Sequence, residues 1–224
     1  MNELVSILIA VRDGARYLGE ALASALDQPG ATVEVVVVDD GSTDDSAEIA
    51  RSFGKRVHVL RQEPLGIGPA RNAAIEASAG TYLSFLDADD RFTPRKSASQ
   101  LELLRHDPDL EAVFGHMRQF ISPDVPEQAR AVRVPTEVGP VVTPTTMLIR
   151  RDAFDRVGPF PAIPIAVSID WTLRAKESGL RFVMLDEVVT ERRIHDRNVG
   201  IQRKQFASQR LHVLKASLDR RRAK

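Results

Sequence analysis

Three carboxylates, Asp87, Asp89 and Asp90, stand at the end of the apolar run LSFLDADDRF (residues 83–92). Like charges crowded at a low-dielectric edge repel, and each resists ionising unless something positive lies among them. A solvated Asp-rich turn is the structural alternative, because Asp bonds its own backbone in turns. The chemical reading is a divalent-metal site. A turn at the strand end lets the Asp87 and Asp89 carboxylates reach one ion, and hard oxygen ligands suit Mg²⁺ or Mn²⁺, which keep water or phosphate ligands. Beside a nucleotide diphosphate, such an ion neutralises charge developing on a leaving group. An isolated D-x-D is common, so the surrounding elements must decide.

Those elements alternate through the first half of the chain. Residues 4–11 (LVSILIAV) and 33–40 (VEVVVVDD) are continuous apolar runs, as expected of strands covered on both faces. Residues 14–27 place Tyr17, Leu18, Ala21, Leu22, Ala25 and Leu26 at helical spacing. STDDSAEIARSF (42–53) reads as a helix with hydroxyl and carboxylate residues where a cap belongs. RVHVLRQ is a third strand, GIGPARNAAIEASAG (66–80) a third helix with Pro69 early and Gly80 past its end, and TYLSFL (81–86) a fourth strand. This βαβαβαβ order predicts an α/β fold with a mostly parallel central sheet and helices on both faces. Ligands of such sheets bind outside the carboxyl ends of the strands, where Asp39–Asp40 and Asp87–Asp89 converge. Beyond it, a helix is expected from Pro94, a strand at 111–121, a long mobile loop at 122–145, and an amphipathic segment after 199.

Composition narrows the classes. The 224 residues suffice for one large α/β domain, with 31 basic and 31 acidic residues balancing to zero, which gives no global field for nucleic acid. No cysteine is present, so disulfides, thiolate metal sites and cysteine nucleophiles are excluded. No run approaches the ~18 apolar residues of a membrane span, and MNELVSILIAVRDG is a poor signal peptide, so a cytoplasmic protein is expected. The basic tail RLHVLKASLDRRRAK reads as a solvated helix end, with peripheral contact to anionic lipid as the alternative.

The segments VSILIAVRDGARYLGEALASAL, VVVVDDGSTDDSAEIA, GIGPARNAAIEASAGTYLSFLDADD and HDRN, in this order and spacing, resemble glycosyltransferase family 2, the inverting, nucleotide-sugar-dependent transferases of GT-A fold. The resemblance is dense over about residues 3–120 and thinner from 143 to 200. It implies one domain over 1–224: a nucleotide-sugar-binding half (1–120), an acceptor and catalytic half (121–200) and a C-terminal helix (201–224). The implied partners are a nucleotide-diphospho-sugar donor and an acceptor that is a saccharide, lipid-linked sugar, natural product or protein.

The resemblance also implies residue roles. Asp40 would accept the N3–H of uracil, a geometry that suits thymine or guanine better than adenine or cytosine. Ala10, Val11 and Arg12 would line the base pocket, and Arg71 would bring a cation to the nucleotide. Asp87 would meet the ribose or metal, Asp89 would bind the metal, and His195 would contact metal or phosphate. Asp90 would assist or cap the next turn, and Asp39 would make an Asx-turn. The family's catalytic base opens a late helix as the Asp of an acidic pair. In SIDWTLRAKESG that position falls on Asp170, expected to take the acceptor's proton, with Ile169 replacing the usual Glu. Trp171 would wall the acceptor pocket or pack in the core. The rival class is a degenerate nucleotide-sugar-binding protein without turnover. An aspartyl-nucleophile phosphatase or a receiver domain fits worse, because each needs acids directly after its first strand.

Overall fold

The computed structural model describes residues 3–125, 138–164, 166–195, 198 and 203–222. One mixed sheet organises them, in the order β3-β2-β1-β4-β8-β6-β9-β5 with β7 against β6. Its first half is the predicted one: β1 (Leu4–Val11), β2 (Thr32–Asp40), β3 (Val57–Gln62) and β4 (Tyr82–Asp87) pair in parallel, joined by α1 (Ala15–Leu26), α2 (Ser46–Ser52) and α3 (Ile67–Glu76). The valine run of β2 divides by the two-residue period of a strand. Val35 and Val37 pack with Leu18, Ala21, Leu22 and Ala25 of α1, whereas Val36 and Val38 pack with Ala70 and Ala74 of α3. Burial on both faces explains why the run carries no polar alternation.

Beyond β4 the pairings turn antiparallel with one exception. The remaining strands are β5 (Arg91–Phe92), β6 (Ala112–Ile121), β7 (Gly139–Pro140), β8 (Leu148–Arg150) and β9 (Phe182–Ile194), and the helices α4 (Lys96–His106), α5 (Arg151–Val157), α6 (Val167–Glu177) and α7 (Arg203–Arg222). β8 runs antiparallel to β4 and β6, and β5 to β9, but β6 and β9 are parallel. Of the expected loop 122–145, residues 126–137 lie outside the described residues; the part that follows forms β7 and a 3₁₀ turn, Pro144–Thr146. No helix among the described residues is long and apolar enough to cross a membrane.

α2 starts four residues later than its sequence suggests. Asp44 accepts the Ala15 amide at 2.9 Å and the Ser46 amide at 3.1 Å, and Asp13 accepts the Thr43 amide at 2.8 Å. The STDD segment therefore ties the ends of β1 and β2 together instead of coiling. Gly41, between Asp40 and this knot, has φ 73°, and a Cβ there would lie 2.8 Å from the Pro64 ring. Only glycine serves at that position.

The second half is anchored by Lys96, which is wholly buried. Its Nζ donates to Ser84 Oγ (2.9 Å), Gln100 Oε1 (2.8 Å) and Met147 O (3.0 Å), and sits 4.4 Å from the Phe92 ring. No carboxylate is among these partners, and burial pushes the ammonium pKa well below its usual value. For a lysine whose folded pKa lies below its unfolded one, folding gains as pH rises between the two values, the range in which folding expels the proton. Wild type is expected to gain stability over Lys96→Met as pH rises toward the unfolded lysine value of about 10.4, read from urea unfolding. A pH-independent difference would mean that Lys96 stays charged in the core.

Candidate active site

The carboxyl ends of β1, β2 and β4 meet at one edge of the sheet. In register, Ala10 faces Asp87 and Val11 faces Asp39. Ala10 is half-buried, Val11 is buried, and Arg12 follows into solvent. β4 ends in a turn closed by the Asp90 amide donating to Asp87 O at 3.0 Å. That turn gathers Asp87, Asp89 and Asp90 so that one carboxylate oxygen from each lies within 4.8 Å of the others.

Each acid of the cluster has its own compensation. Arg71, 3% exposed, donates from Nη2 to Asp87 Oδ1 at 2.6 Å and from Nη1 to Ser168 Oγ at 3.1 Å, its guanidinium 5.3 Å from the Phe160 ring. Asp89 Oδ2 receives Nε2 of His195 at 2.9 Å and Nδ2 of Asn198 at 3.1 Å. An ionised carboxylate only accepts, so that contact makes Nε2 the protonated imidazole nitrogen. Asp90 Oδ1 accepts the Arg193 amide at 2.9 Å. Burial first, and then the charges of Asp89 and Asp87, push the Asp90 carboxyl well above the usual carboxylate range. Among the described residues, Asp87 Oδ2 and Asp89 Oδ1 accept no hydrogen bond. Two unengaged carboxylate oxygens beside a third acid are the donor set that Mg²⁺ or Mn²⁺ takes, so the residues fit the implied ion.

Asp40 and Asp39 differ from each other. Asp40, 3% exposed, accepts Gln62 Nε2 (2.7 Å) and the Leu65 amide (2.9 Å) on Oδ1, and the Gly66 amide (2.8 Å) on Oδ2. A carboxylate has about four acceptor sites, so one remains for a base N–H. Asp39 caps the turn, as an Asx residue would, by accepting the Ser42 amide at 3.0 Å. Its Oδ2 is buried without a hydrogen bond, with Arg61 Nε 3.4 Å away.

The late helix shows how Asp170 is held and which of the two expected places Trp171 takes. Val167, Trp171 and Ala175 are buried one turn apart and set the rotation of α6 about its axis. At 100° per residue, Ser168 and Asp170 then point about 200° apart. Ser168 is the side chain that meets Arg71. Asp170, the expected base, takes Arg174 Nε on Oδ2 at 2.8 Å, with Arg220 Nη1 of α7 3.6 Å from Oδ1. Asp170 is thus an interhelical ion-pair residue in this arrangement. Trp171 is wholly buried, stacked on Phe154 at 5.1 Å with Nε1 donating to Gly158 O at 2.9 Å, so it presents no face to an acceptor. The spacing of Val167, Trp171 and Ala175 was a usable signal for this rotation. Asn198 and Arg193 had none beyond proximity to His195, because their partners lie about a hundred residues away.

The architecture is that of GT-A glycosyltransferases. The chain aligns with Staphylococcus aureus TarS 1–349 in complex with UDP-GlcNAc at TM-score 0.70, with 21% identity, over 87% of this chain and 59% of that one. It aligns with the mannosyltransferase PcManGT of Pyrobaculum calidifontis, in complex with GDP-Man and Mn²⁺, at TM-score 0.66, with 22% identity, over 89% of this chain and 59% of the other. At these identities the likeness is one of fold. A family model described as glycosyl transferase family 2 matches residues 6–158. An uncharacterized glycosyltransferase of Rickettsia typhi is 30% identical over 210 residues, covering 87% of this chain and 65% of that protein. The glycosyltransferase GlyG of Streptococcus pneumoniae is 38% identical over 94 residues, 40% of this chain and 31% of that one. The chain thus spans under two thirds of the length of these relatives.

Removing one partner of a buried ion pair costs about 3–5 kcal/mol, less when the pair is partly solvated. Arg220 is about a third exposed, at 35%. Asp170→Asn is therefore expected to lower stability by about 1–3 kcal/mol in urea unfolding while nucleotide binding is retained. Unchanged stability with turnover lost would leave Asp170 the role of base alone.

Proposed function

The chain belongs to glycosyl transferase family 2, and from that premise we propose that it transfers a sugar from a nucleotide-diphospho-sugar to an acceptor hydroxyl. The observation that carries this reading is the pair of unengaged oxygens on Asp87 and Asp89, at the same strand-end edge as Asp40 with β1 between them. The nucleotide base lies against Ala10, Val11 and Arg12, its imino N–H donating to Asp40. UDP-sugar is the first choice of donor, with dTDP- and GDP-sugars as alternatives, because uracil, thymine and guanine carry an imino N–H. UDP-GlcNAc and GDP-Man, the ligands of the two structural neighbours, both meet this requirement.

Asp87 and Asp89 hold a divalent cation, Mn²⁺ or Mg²⁺. When bound, that cation supplies positive charge against the departing diphosphate. Arg71 fixes Asp87 and retains further guanidinium donors for the nucleotide. His195 and Asn198 orient Asp89. Residues 1–120 form the donor half and 121–200 the acceptor half, with α7 (Arg203–Arg222) bracing α6. In-line attack by the acceptor oxygen inverts the anomeric centre. Its proton passes to Asp170, whose carboxylate is held ready by Arg174 on Oδ2, with Arg220 3.6 Å from Oδ1.

A second reading, nucleotide-sugar binding without turnover, is favoured by one observation: α6 turns Ser168 rather than a carboxylate toward Arg71. Incubation with UDP-, dTDP- and GDP-sugars and Mn²⁺ separates the two. Release of nucleoside diphosphate, abolished in Asp89→Ala, is the expected result for the transferase. Metal-dependent binding with no release from any donor would select the second reading. Release undiminished in Asp89→Ala would contradict the metal assignment.

A further inference from the structure

Arg193, near the end of β9, is 2% exposed and donates both into the acidic turn and to two elements around it. Its amide donates to Asp90 Oδ1 at 2.9 Å and its Nε to Asp89 O at 3.1 Å. Its Nη1 reaches Ser122 Oγ at 3.1 Å, just past β6, and its Nη2 reaches Glu20 Oε2 of α1 at 2.6 Å. The guanidinium lies between two rings, 4.5 Å from the centroid of Tyr17 and 4.8 Å from that of Phe120. Tyr17 in turn lies 4.9 Å from the ring of His195, which holds Asp89. One side chain thereby joins α1, β6 and β9 to the turn that carries the acids.

We infer that Arg193 is a positioning residue that locks the Asp87–Asp90 turn in the conformation leaving the Asp87 and Asp89 oxygens open to a cation. The inference rests on reading those two acids as the metal and donor site. Three features make arginine specific here. A planar fork satisfies a carbonyl, a hydroxyl and a carboxylate at once, which a lysine ammonium at the end of a flexible stem does not. Stacking between two rings removes its rotational freedom. Its charge pairs with Glu20 Oε2 at 2.6 Å, which anchors the fork to α1. Glu20, its carboxylate partner, has a half-exposed side chain (52%), so the pair forms at the rim of the site rather than in the core.

Arg193→Lys keeps the charge and loses the fork. Two readings are taken on the folded variant: amide exchange of residues 87–90 without metal, and the Mn²⁺ concentration that half-saturates the thermal shift in the presence of UDP or GDP. Expected are faster exchange confined to the turn, with β1 and β2 protected as in wild type, and half-saturation raised about tenfold or more. Wild-type values on both readings overturn the inference. So does a lowered transition temperature with neither reading changed, because that assigns Arg193 to packing alone. Should Arg193→Lys fail to fold, Glu20→Gln takes its place: a smaller change in the same direction supports the inference, and no change overturns it. If wild type itself shows no Mn²⁺-dependent nucleotide binding, the donor reading fails. The metal-free exchange then still decides whether Arg193 holds the turn.

Discussion

Mutual repulsion among three carboxylates is the constraint around which this site is arranged. Asp87, Asp89 and Asp90 end a strand whose other residues are buried, and Asp90 at 3% exposure is itself shielded from solvent while Asp87 and Asp89 reach it only in part. Each is met from a different direction. Arg71 comes from α3, His195 and Asn198 from beyond β9, and the Arg193 amide from β9 itself. The two halves of the sheet therefore meet at the acids, and an element that shifts carries an acid's partner with it. These partners leave one oxygen on Asp87 and one on Asp89 without a hydrogen bond among the described residues.

The same dependence explains α6. Its rotation is set by Val167, Trp171 and Ala175 entering the aromatic cluster of Phe85, Phe154 and Phe160. That rotation puts Ser168 on Arg71 and commits Asp170 to arginines on α6 and α7. α7 adds a second tie through Glu177, which accepts Ser217 Oγ and Arg220 Nε. The helix that carries Asp170 is thereby braced against α7.

Much of this was legible in the residues alone, for definite reasons. The runs in β1, β2 and β4 are apolar because helices cover both faces, and that pattern is local. The clustering of Asp87, Asp89 and Asp90 was legible because three acids in four residues at a strand end have few places to go. The ion pairs of Asp170 were not legible, because its place in the helix was visible while the rotation of α6 is set by Trp171 packing against Phe154, outside its own segment. The pairing of β6 with β9, the ties of Arg193, and the bonds from His195 and Asn198 to Asp89 all depend on contacts far apart in sequence. The late start of α2 follows from competition: Asp44 bonds Ala15 across the β1–α1 turn, where helix periodicity alone would have continued.

The central claim is that these acids bind a cation together with an imino-bearing nucleotide. Thermal stability measured with UDP, dTDP, GDP, CDP and ADP, each with and without Mn²⁺, tests it most directly, because a ligand bound to the native state raises the transition temperature. The account predicts a rise that requires Mn²⁺ and is confined to one or more of UDP, dTDP and GDP. A rise with CDP or ADP to the same extent, or one independent of metal, or none with any nucleotide well above ~1 mM, would contradict it.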